Sequence, residues 1–127
     1  MKKILFADDE EALLSAMQGS LEEAGYMVIT APDGEKGLAL CLEHQPDLVI
    51  TDNQMSPVDG LEMVRGIRQA GATVPIIVHC SSLNGRLKAQ YQEQGVKTFL
   101  DKPVTEEQLF QAVALELGQE QQSQTKT

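Results

Sequence analysis

Short apolar runs alternate with longer segments of helical periodicity along almost the whole chain, and this order is what most constrains its fold. The runs are rich in β-branched residues and lack polar alternation, which is typical of strands buried on both faces. Each precedes a segment whose apolar residues recur every three or four positions. The order predicts a parallel sheet covered by helices on both faces. The predicted strands are KILFA (3–7), YMVITA (26–31), DLVIT (47–51), VPIIVHC (74–80) and KTFL (97–100).

The five helical segments differ in how clearly their sequence predicts a helix. The last is the clearest, because Thr105 and Gln108 form a capping sequence ahead of an apolar stripe that begins at Leu109. The fourth, SSLNGRLKAQYQEQG, is the weakest. Its stripe is thin, and Asn84-Gly85 falls inside the expected first turn, which lowers helix stability. We expect a frayed surface helix here, with a movable element as the alternative.

Five strand–helix units predict a doubly wound α/β fold with a five-stranded parallel sheet in the order 2-1-3-4-5. In such sheets ligands bind at the carboxyl ends of the strands, where the order reverses between strands 1 and 3. The length of 127 residues fits one domain, which we place at residues 1–118. Residues 119–127 contain no apolar side chain, so we expect a polar, flexible tail or the start of a linker there.

The composition disfavours nucleic acid and membranes as partners and indicates a reducing compartment. Asp and Glu outnumber Lys and Arg by 19 to 10, and the net charge of −9 disfavours direct binding to nucleic acid or an anionic membrane. No apolar run approaches the roughly 20 residues of a membrane span. Cys41 and Cys80 show no CxxC spacing, and we expect both as reduced, buried thiols of a cytoplasmic protein.

Acidic residues follow the two strands that flank the expected reversal point. Asp8 and Asp9, with Glu10 behind them, end strand 1, and Asp52 ends strand 3. Oxygen ligands in an open cluster suit Mg²⁺, which phosphate oxygens and water usually complete. Lys102, after strand 5, is a point-charge partner for an incoming anion. Because an aspartate can attack phosphorus, the arrangement predicts Mg²⁺-assisted phosphoryl transfer onto Asp52.

Each of these residues has an ordinary structural alternative when it is taken singly. Asp8 or Asp9 could cap the following helix, Asp52 could serve the turn behind it, and Lys102 could be a solvated surface charge. The prediction depends on three strand ends that carry compatible chemistry in one crevice.

The same residues resemble the receiver domain of response regulators, the CheY-like, flavodoxin-like module of two-component signalling. The resemblance covers residues 3 to about 117 and is carried by ILFADDE, APDGEKGL, PDLVITDNQMSPVDGLE and FLDKP. It implies that Asp52 is the phosphoacceptor and that Lys102 pairs with the phosphoryl group. It also implies that Asp9 binds Mg²⁺ directly, Asp8 binds it through water, and the backbone carbonyl of Gln54 supplies another ligand.

The resemblance further implies how such a module signals. The phosphoryl group comes from a histidine kinase, a phosphotransfer protein or a small phosphodonor, and the chain itself is no enzyme beyond self-catalysed acceptance and hydrolysis. Phe99 is the aromatic residue whose rotamer follows phosphorylation, and Lys102-Pro103 is a cis peptide. Helix 4, strand 5 and helix 5, roughly residues 82–117, form the surface for an output protein or an effector domain, and a homodimer is possible. The sequence leaves open whether the chain acts alone or belongs to a longer regulator.

The chain departs from the family pattern at a few positions. Cys80 stands where the family has a Ser or Thr that senses the phosphoryl group, and a thiol is a weak hydrogen-bond donor. The alternative of Cys80 as a redox sensor is weaker, because buried cysteines are usually inert. His79 replaces an apolar residue; we expect a core histidine bonded to backbone, or one near the sheet edge, rather than a metal ligand. Ser56-Pro57 also differs, since the family proline is commonly at position 56.

Two functional hypotheses follow. The first is a phosphorylation-dependent signalling switch that works through the helix 4, strand 5 and helix 5 surface. The second is a constitutive interaction module, a pseudo-receiver whose output Cys80 has uncoupled. An enzyme or flavin protein of the same fold is a weaker third alternative, because no second acid follows two places after Asp52.

Overall fold

The computed structural model describes residues 1–118, and the expected tail at 119–127 lies outside the described residues. Five strands form one sheet in the order β2-β1-β3-β4-β5, with every neighbouring pair parallel. The predicted doubly wound fold and strand order are therefore confirmed. The elements are β1 (Lys3–Ala7), α1 (Glu11–Glu23), β2 (Met27–Ala31), α2 (Gly34–His44), β3 (Leu48–Asp52), α3 (Gly60–Gln69), β4 (Ile76–Cys80), α4 (Gly85–Glu93), β5 (Thr98–Asp101) and α5 (Glu106–Glu116).

The sheet separates two apolar cores, and β1 contributes to both because successive strand residues face opposite sides. Leu5 and Ala7 pack in the core under α2, α3 and α4. Ile4 and Phe6 pack in the core under α1 and α5. All four side chains are buried. Burial on both faces explains why the strand sequences read as unbroken apolar runs.

Helix α4 begins in a different way from that expected. Asn84 is the N-cap residue rather than part of the first turn, and its side chain accepts a hydrogen bond from the backbone N–H of Leu87 at 2.8 Å. The expectation that Asn84-Gly85 weakens the helix is wrong in this respect, because Asn84 satisfies a backbone donor that the helix start would otherwise leave free. Tyr91 near its end is fully buried, so the helix is anchored to the core.

Helix α5 begins as predicted. Thr105 accepts a hydrogen bond from the backbone of Gln108, whose side chain bonds back to the backbone of Thr105. A second capping box, which the sequence analysis did not identify, joins Asp59 and Glu62 at the start of α3. Both boxes fix the loops that arrive at the carboxyl edge of the sheet.

Gly60 holds the loop after β3 against the sheet. A β-carbon at this position would lie 2.3 Å from the carbonyl oxygen of Asp52, so only glycine allows the approach. The Gly60 backbone N–H also donates to the carbonyl of Asn53 at 2.9 Å. Across residues 1–118, no helix is both long and apolar enough to cross a membrane.

Candidate phosphorylation site

Three aspartates meet at the carboxyl edge of the sheet. Ala7 of β1 pairs with Thr51 of β3, so the residues that follow them, Asp8 and Asp52, lie side by side. One carboxylate oxygen from each of Asp8, Asp9 and Asp52 lies within 4.8 Å of the others. Asp8 and Asp52 are buried, whereas Asp9 is exposed. An all-oxygen set that is open on one side fits Mg²⁺, and the convergence predicted from the strand order is observed.

Lys102 supplies the positive charge that this cluster needs. Its Nζ lies 3.2 Å from Asp8 Oδ2, 3.3 Å from Asp52 Oδ2 and 3.6 Å from Glu10 Oε1. Burial by itself lowers the pKa of the Lys102 amine, but the Asp8 and Asp52 carboxylates outweigh burial and raise the pKa. Lys102 therefore remains charged and is not a solvated surface lysine.

The backbone fixes the orientation of both buried carboxylates. Asp8 Oδ1 accepts the backbone N–H of Glu10 at 2.8 Å, and Asp52 Oδ1 accepts the backbone N–H of Asn53 at 2.7 Å. The second oxygen of each faces Lys102. The N-cap of α1 is Glu10, so neither Asp8 nor Asp9 takes the capping role that was the structural alternative.

The family model for the response regulator receiver domain matches residues 4–114. This chain belongs to that family. The receiver domain is similar to the alkaline phosphatase synthesis transcriptional regulatory protein PhoP of Bacillus subtilis, with 36% identity over 80% of this chain and 42% of PhoP. It is also similar to the regulator RpaA of a Synechocystis strain, with 34% identity over 89% of this chain and 48% of RpaA.

Solved structures resemble the receiver domain as a whole. The chemotaxis protein CheY4 of Vibrio cholerae superposes with a TM-score of 0.87 and 28% identity, covering 92% of this chain and 99% of CheY4. The curated relatives are longer: PhoP and RpaA extend to more than twice the span matched here. Receiver domains of this family generally bind Mg²⁺ at an acidic pocket, and the aspartate cluster lies at that place.

Two further expectations for the receiver domain concern Gln54 and the Lys102-Pro103 peptide. Gln54 and Asp9 line one surface pocket of about 410 Å³, which Asn53, the residue directly after Asp52, also lines. The Lys102-Pro103 peptide is cis, as the resemblance implies, and Ser56-Pro57 is cis as well.

Cys80 and Phe99 lie on neighbouring strands, since Cys80 of β4 pairs with Asp101 of β5, the strand that contains Phe99. Cys80 ends β4 and is buried, and burial raises the pKa of its thiol more than a backbone hydrogen bond from Ser82 lowers it. Phe99 is half-buried, with its ring edge-on to Tyr91 at 6.2 Å and Lys88 Nζ 5.3 Å from its centre. A protonated, buried thiol is a poor nucleophile, which is evidence against a redox sensor at Cys80.

Two contacts in the receiver domain were missed by the sequence analysis. The Tyr91 hydroxyl donates to Asn53 Oδ1 at 2.6 Å and so joins α4 to the residue directly after Asp52. His79 Nε2 lies 3.4 Å from Asp8 Oδ2. His79 is a core residue of β4, as expected, but its Nε2 has no hydrogen-bond partner among residues 1–118, so the expected bond to backbone is not found at that nitrogen. The separation of 38 residues between Tyr91 and Asn53 left no local pattern to identify that pair.

Proposed function

We propose that this receiver domain is a phosphorylation-dependent switch that accepts a phosphoryl group on Asp52. The observation that supports this function best is the position of Asp52 Oδ2, which is 3.3 Å from Lys102 Nζ inside a cluster of three aspartates. This combination places a nucleophilic oxygen, an anion-binding lysine and a set of Mg²⁺ ligands in one crevice.

The chemistry is a transfer of one phosphoryl group. An oxygen of Asp52 attacks the phosphorus of the donor, and the new O–P bond forms as the bond between phosphorus and the donor's leaving atom breaks, with its electron pair going to the donor. Lys102 pairs with the oxygens of the transferred group. Asp8, Asp9, Asp52 and the carbonyl of Gln54 are the proposed Mg²⁺ ligands, and Mg²⁺, when bound, offsets the negative charge on the phosphoryl oxygens.

The donor is a histidine kinase, a phosphotransfer protein or a small phosphodonor. The chain contributes only self-catalysed acceptance and hydrolysis, so it is not an enzyme acting on a separate substrate. PhoP is named a transcriptional regulatory protein, and an effector domain of that kind, or a separate output protein, is the proposed recipient of the signal. The cytoplasmic location and homodimer formation stay predictions.

The output surface is α4, β5 and α5. Cys80 is a weak donor at the position from which the family senses the phosphoryl group. The hydrogen bond from Tyr91 to Asn53 and the contact of Tyr91 with Phe99 offer a second physical connection between the site and this surface. A shift of the Asn53 backbone on phosphorylation would act on α4 through Tyr91. The domain loses stability if the Tyr91 hydroxyl loses its acceptor, so the hydroxyl, and α4 with it, should follow Asn53.

Cys80 also favours the second candidate function, a constitutive interaction module. In that case the site accepts phosphate, or no longer does so, without any effect on the output surface. The two functions differ in one observable, which is the response of residues 82–117 to phosphorylation.

The test is to measure intact mass after incubation with Mg²⁺ and acetyl phosphate and to follow amide exchange over residues 82–117 in the same samples. The variants are Asp52→Asn and, as a matched control at the opposite end of β3, Asp47→Asn. The switch predicts a phosphoryl adduct in the native chain and in Asp47→Asn but not in Asp52→Asn, with changed exchange on the output surface.

The other outcomes are equally informative. An adduct without any change in exchange would favour the constitutive module. An adduct that persists in Asp52→Asn, or no adduct in the native chain, would refute the assignment of Asp52 as the phosphoacceptor.

A further inference from the structure

His79 is a buried polar side chain whose position the phosphoacceptor and metal ligands do not explain. It pairs with Asp52 in the register of β3 and β4 and is only 3% exposed. The edge-on ring of Phe6, 5.2 Å away at an angle of 72°, packs against the imidazole. Among residues 1–118, no group forms a hydrogen bond with its Nε2.

A buried nitrogen without a partner is unusual, because losing its hydrogen bonds to water costs stability. The nearest acceptor is Asp8 Oδ2 at 3.4 Å. A neutral imidazole carries one N–H, and the carboxylate favours the tautomer with the proton on Nε2.

Asp8 itself is fully buried, so each of its oxygens needs a partner within the protein. Oδ1 has the backbone N–H of Glu10. Oδ2 has Lys102 Nζ at 3.2 Å, but Lys102 also serves Asp52 and Glu10. A phosphoryl group on Asp52 adds further oxygens that compete for the same ammonium group.

We propose that His79 is a positioning residue for Asp8, donating its Nε2–H to Oδ2 as Lys102 turns towards the phosphoryl group on Asp52. The inference rests on the proposed function. The imidazole keeps the buried carboxylate paired and correctly oriented, so that Lys102 can move without leaving Asp8 unsatisfied. A small rotation of the ring is enough, since the two atoms are already 3.4 Å apart.

The test compares His79→Leu with His79→Gln. Leucine removes the donor while keeping an apolar side chain in β4, whereas the amide nitrogen of glutamine can replace Nε2 as a donor. Adduct formation with acetyl phosphate, followed by intact mass at saturating Mg²⁺, should slow about tenfold in His79→Leu, the effect of one hydrogen bond to a charged group. His79→Gln should recover most of that rate.

A second readout does not need phosphorylation. Long-range ¹H–¹⁵N spectra of the metal-free native chain report which imidazole nitrogen carries the proton, and the proposal requires Nε2. Calorimetric Mg²⁺ titration of the unphosphorylated variants should show weaker binding in His79→Leu than in the native chain and His79→Gln.

These readouts separate the failure of this proposal from the failure of the proposed function. A native rate in His79→Leu, or equal slowing in His79→Leu and His79→Gln, would overturn the role of His79 while Asp52 remains the phosphoacceptor. If the native chain forms no adduct, the proposed function fails and the role of His79 during phosphorylation fails with it. If His79→Leu does not fold, the tautomer decides: a proton on Nδ1 overturns the proposal, and one on Nε2 supports it.

Discussion

At the scale of single residues, one lysine at the site forms ion pairs with two buried carboxylates. Asp8 and Asp52 both face Lys102 Nζ, at 3.2 and 3.3 Å, and both are held out of water. Removing one partner from a buried ion pair leaves the other charge uncompensated, which costs more than the pair itself contributes. Lys102 is therefore a structural residue as well as the proposed phosphoryl partner.

This dual role predicts that Lys102→Met lowers the free energy of unfolding by about 2 kcal/mol in the absence of Mg²⁺. Added Mg²⁺ should restore part of that loss, because a cation in the aspartate cluster replaces the missing charge. Urea denaturation with and without Mg²⁺ measures both effects. Lys97→Met, at an exposed lysine just before β5, is the control for the loss of a positive charge. Equal stability losses in the two variants would contradict the prediction.

Cys80 is the residue on which the second proposed function, the constitutive interaction module, depends. Cys80→Thr restores a hydroxyl donor at the end of β4 in a residue that suits a strand. We expect the adduct to form at the native rate, and the exchange change over residues 82–117 on phosphorylation to become larger. Cys41→Ser, at the other buried cysteine, should leave that change as it is. An unaltered exchange response in Cys80→Thr would mean that the thiol does not limit coupling.

At the scale of elements, α4 is connected to the site more directly than its sequence indicates. Asn84 caps its start, and Tyr91 near its end is fully buried. The Tyr91 hydroxyl reaches Asn53, and Gly60 leaves room for it, since a β-carbon there would lie 2.6 Å from that oxygen. The hydrogen bond thus ties the helix to the start of the loop between β3 and α3, and the Tyr91 hydroxyl packs closely against Gly60 at its end.

The hydrogen bond between Tyr91 and Asn53 predicts how Tyr91→Phe changes stability and amide exchange. The variant keeps the ring that packs on Phe99 but removes the hydroxyl, so Asn53 Oδ1 loses its donor and the free energy of unfolding falls by about 1–2 kcal/mol. The exchange response of α4 to phosphorylation should shrink. A double-mutant cycle with Asn53→Ala isolates the contact, because the two changes should not add if the hydrogen bond is what each removes. Additive losses would show that the two residues act independently.

At the scale of the whole molecule, the sequence predicts the order and spacing of the elements because both faces of the sheet are buried. Each strand then appears as an unbroken apolar run, and the observed strands begin within two residues of the expected positions. β4 begins at Ile76 rather than Val74, since a proline at position 75 cannot donate to a neighbouring strand. The aspartate cluster follows from the same topology, because parallel strands bring their carboxyl ends to one edge.

What the sequence does not predict are contacts between side chains that are distant along the chain. Nothing near Tyr91 indicates Asn53 as its partner, and nothing near His79 indicates Asp8. The N-cap role of Asn84 was missed for another reason: a shift of one residue in the helix start changes it from a destabilising residue into a stabilising one. Such details depend on packing, which local patterns do not specify.

Mg²⁺ should also raise the stability of the whole domain. The chain carries a net charge of −9, and three of its carboxylates lie together with one lysine against them. Mg²⁺ that binds the folded cluster stabilises it by about 1.4 kcal/mol at ten times its Kd, a rise of roughly 3–6 °C in Tm. Asp9→Asn should lose this rise and, by relieving repulsion, should have a higher Tm than the native chain in EDTA.

Glu93→Gln provides the control, since it makes the same change in net charge at an exposed position of α4. It should keep the native response to Mg²⁺, and an equal ionic strength of NaCl should produce no comparable rise. If Asp9→Asn retained the full Mg²⁺ response, the ion would be acting on the general negative charge of the domain. The aspartate cluster would then not be its binding site, because a specific ligand set must lose affinity with the loss of one member. Screening by dissolved ions acts on all exposed charges and changes little when one of them is removed.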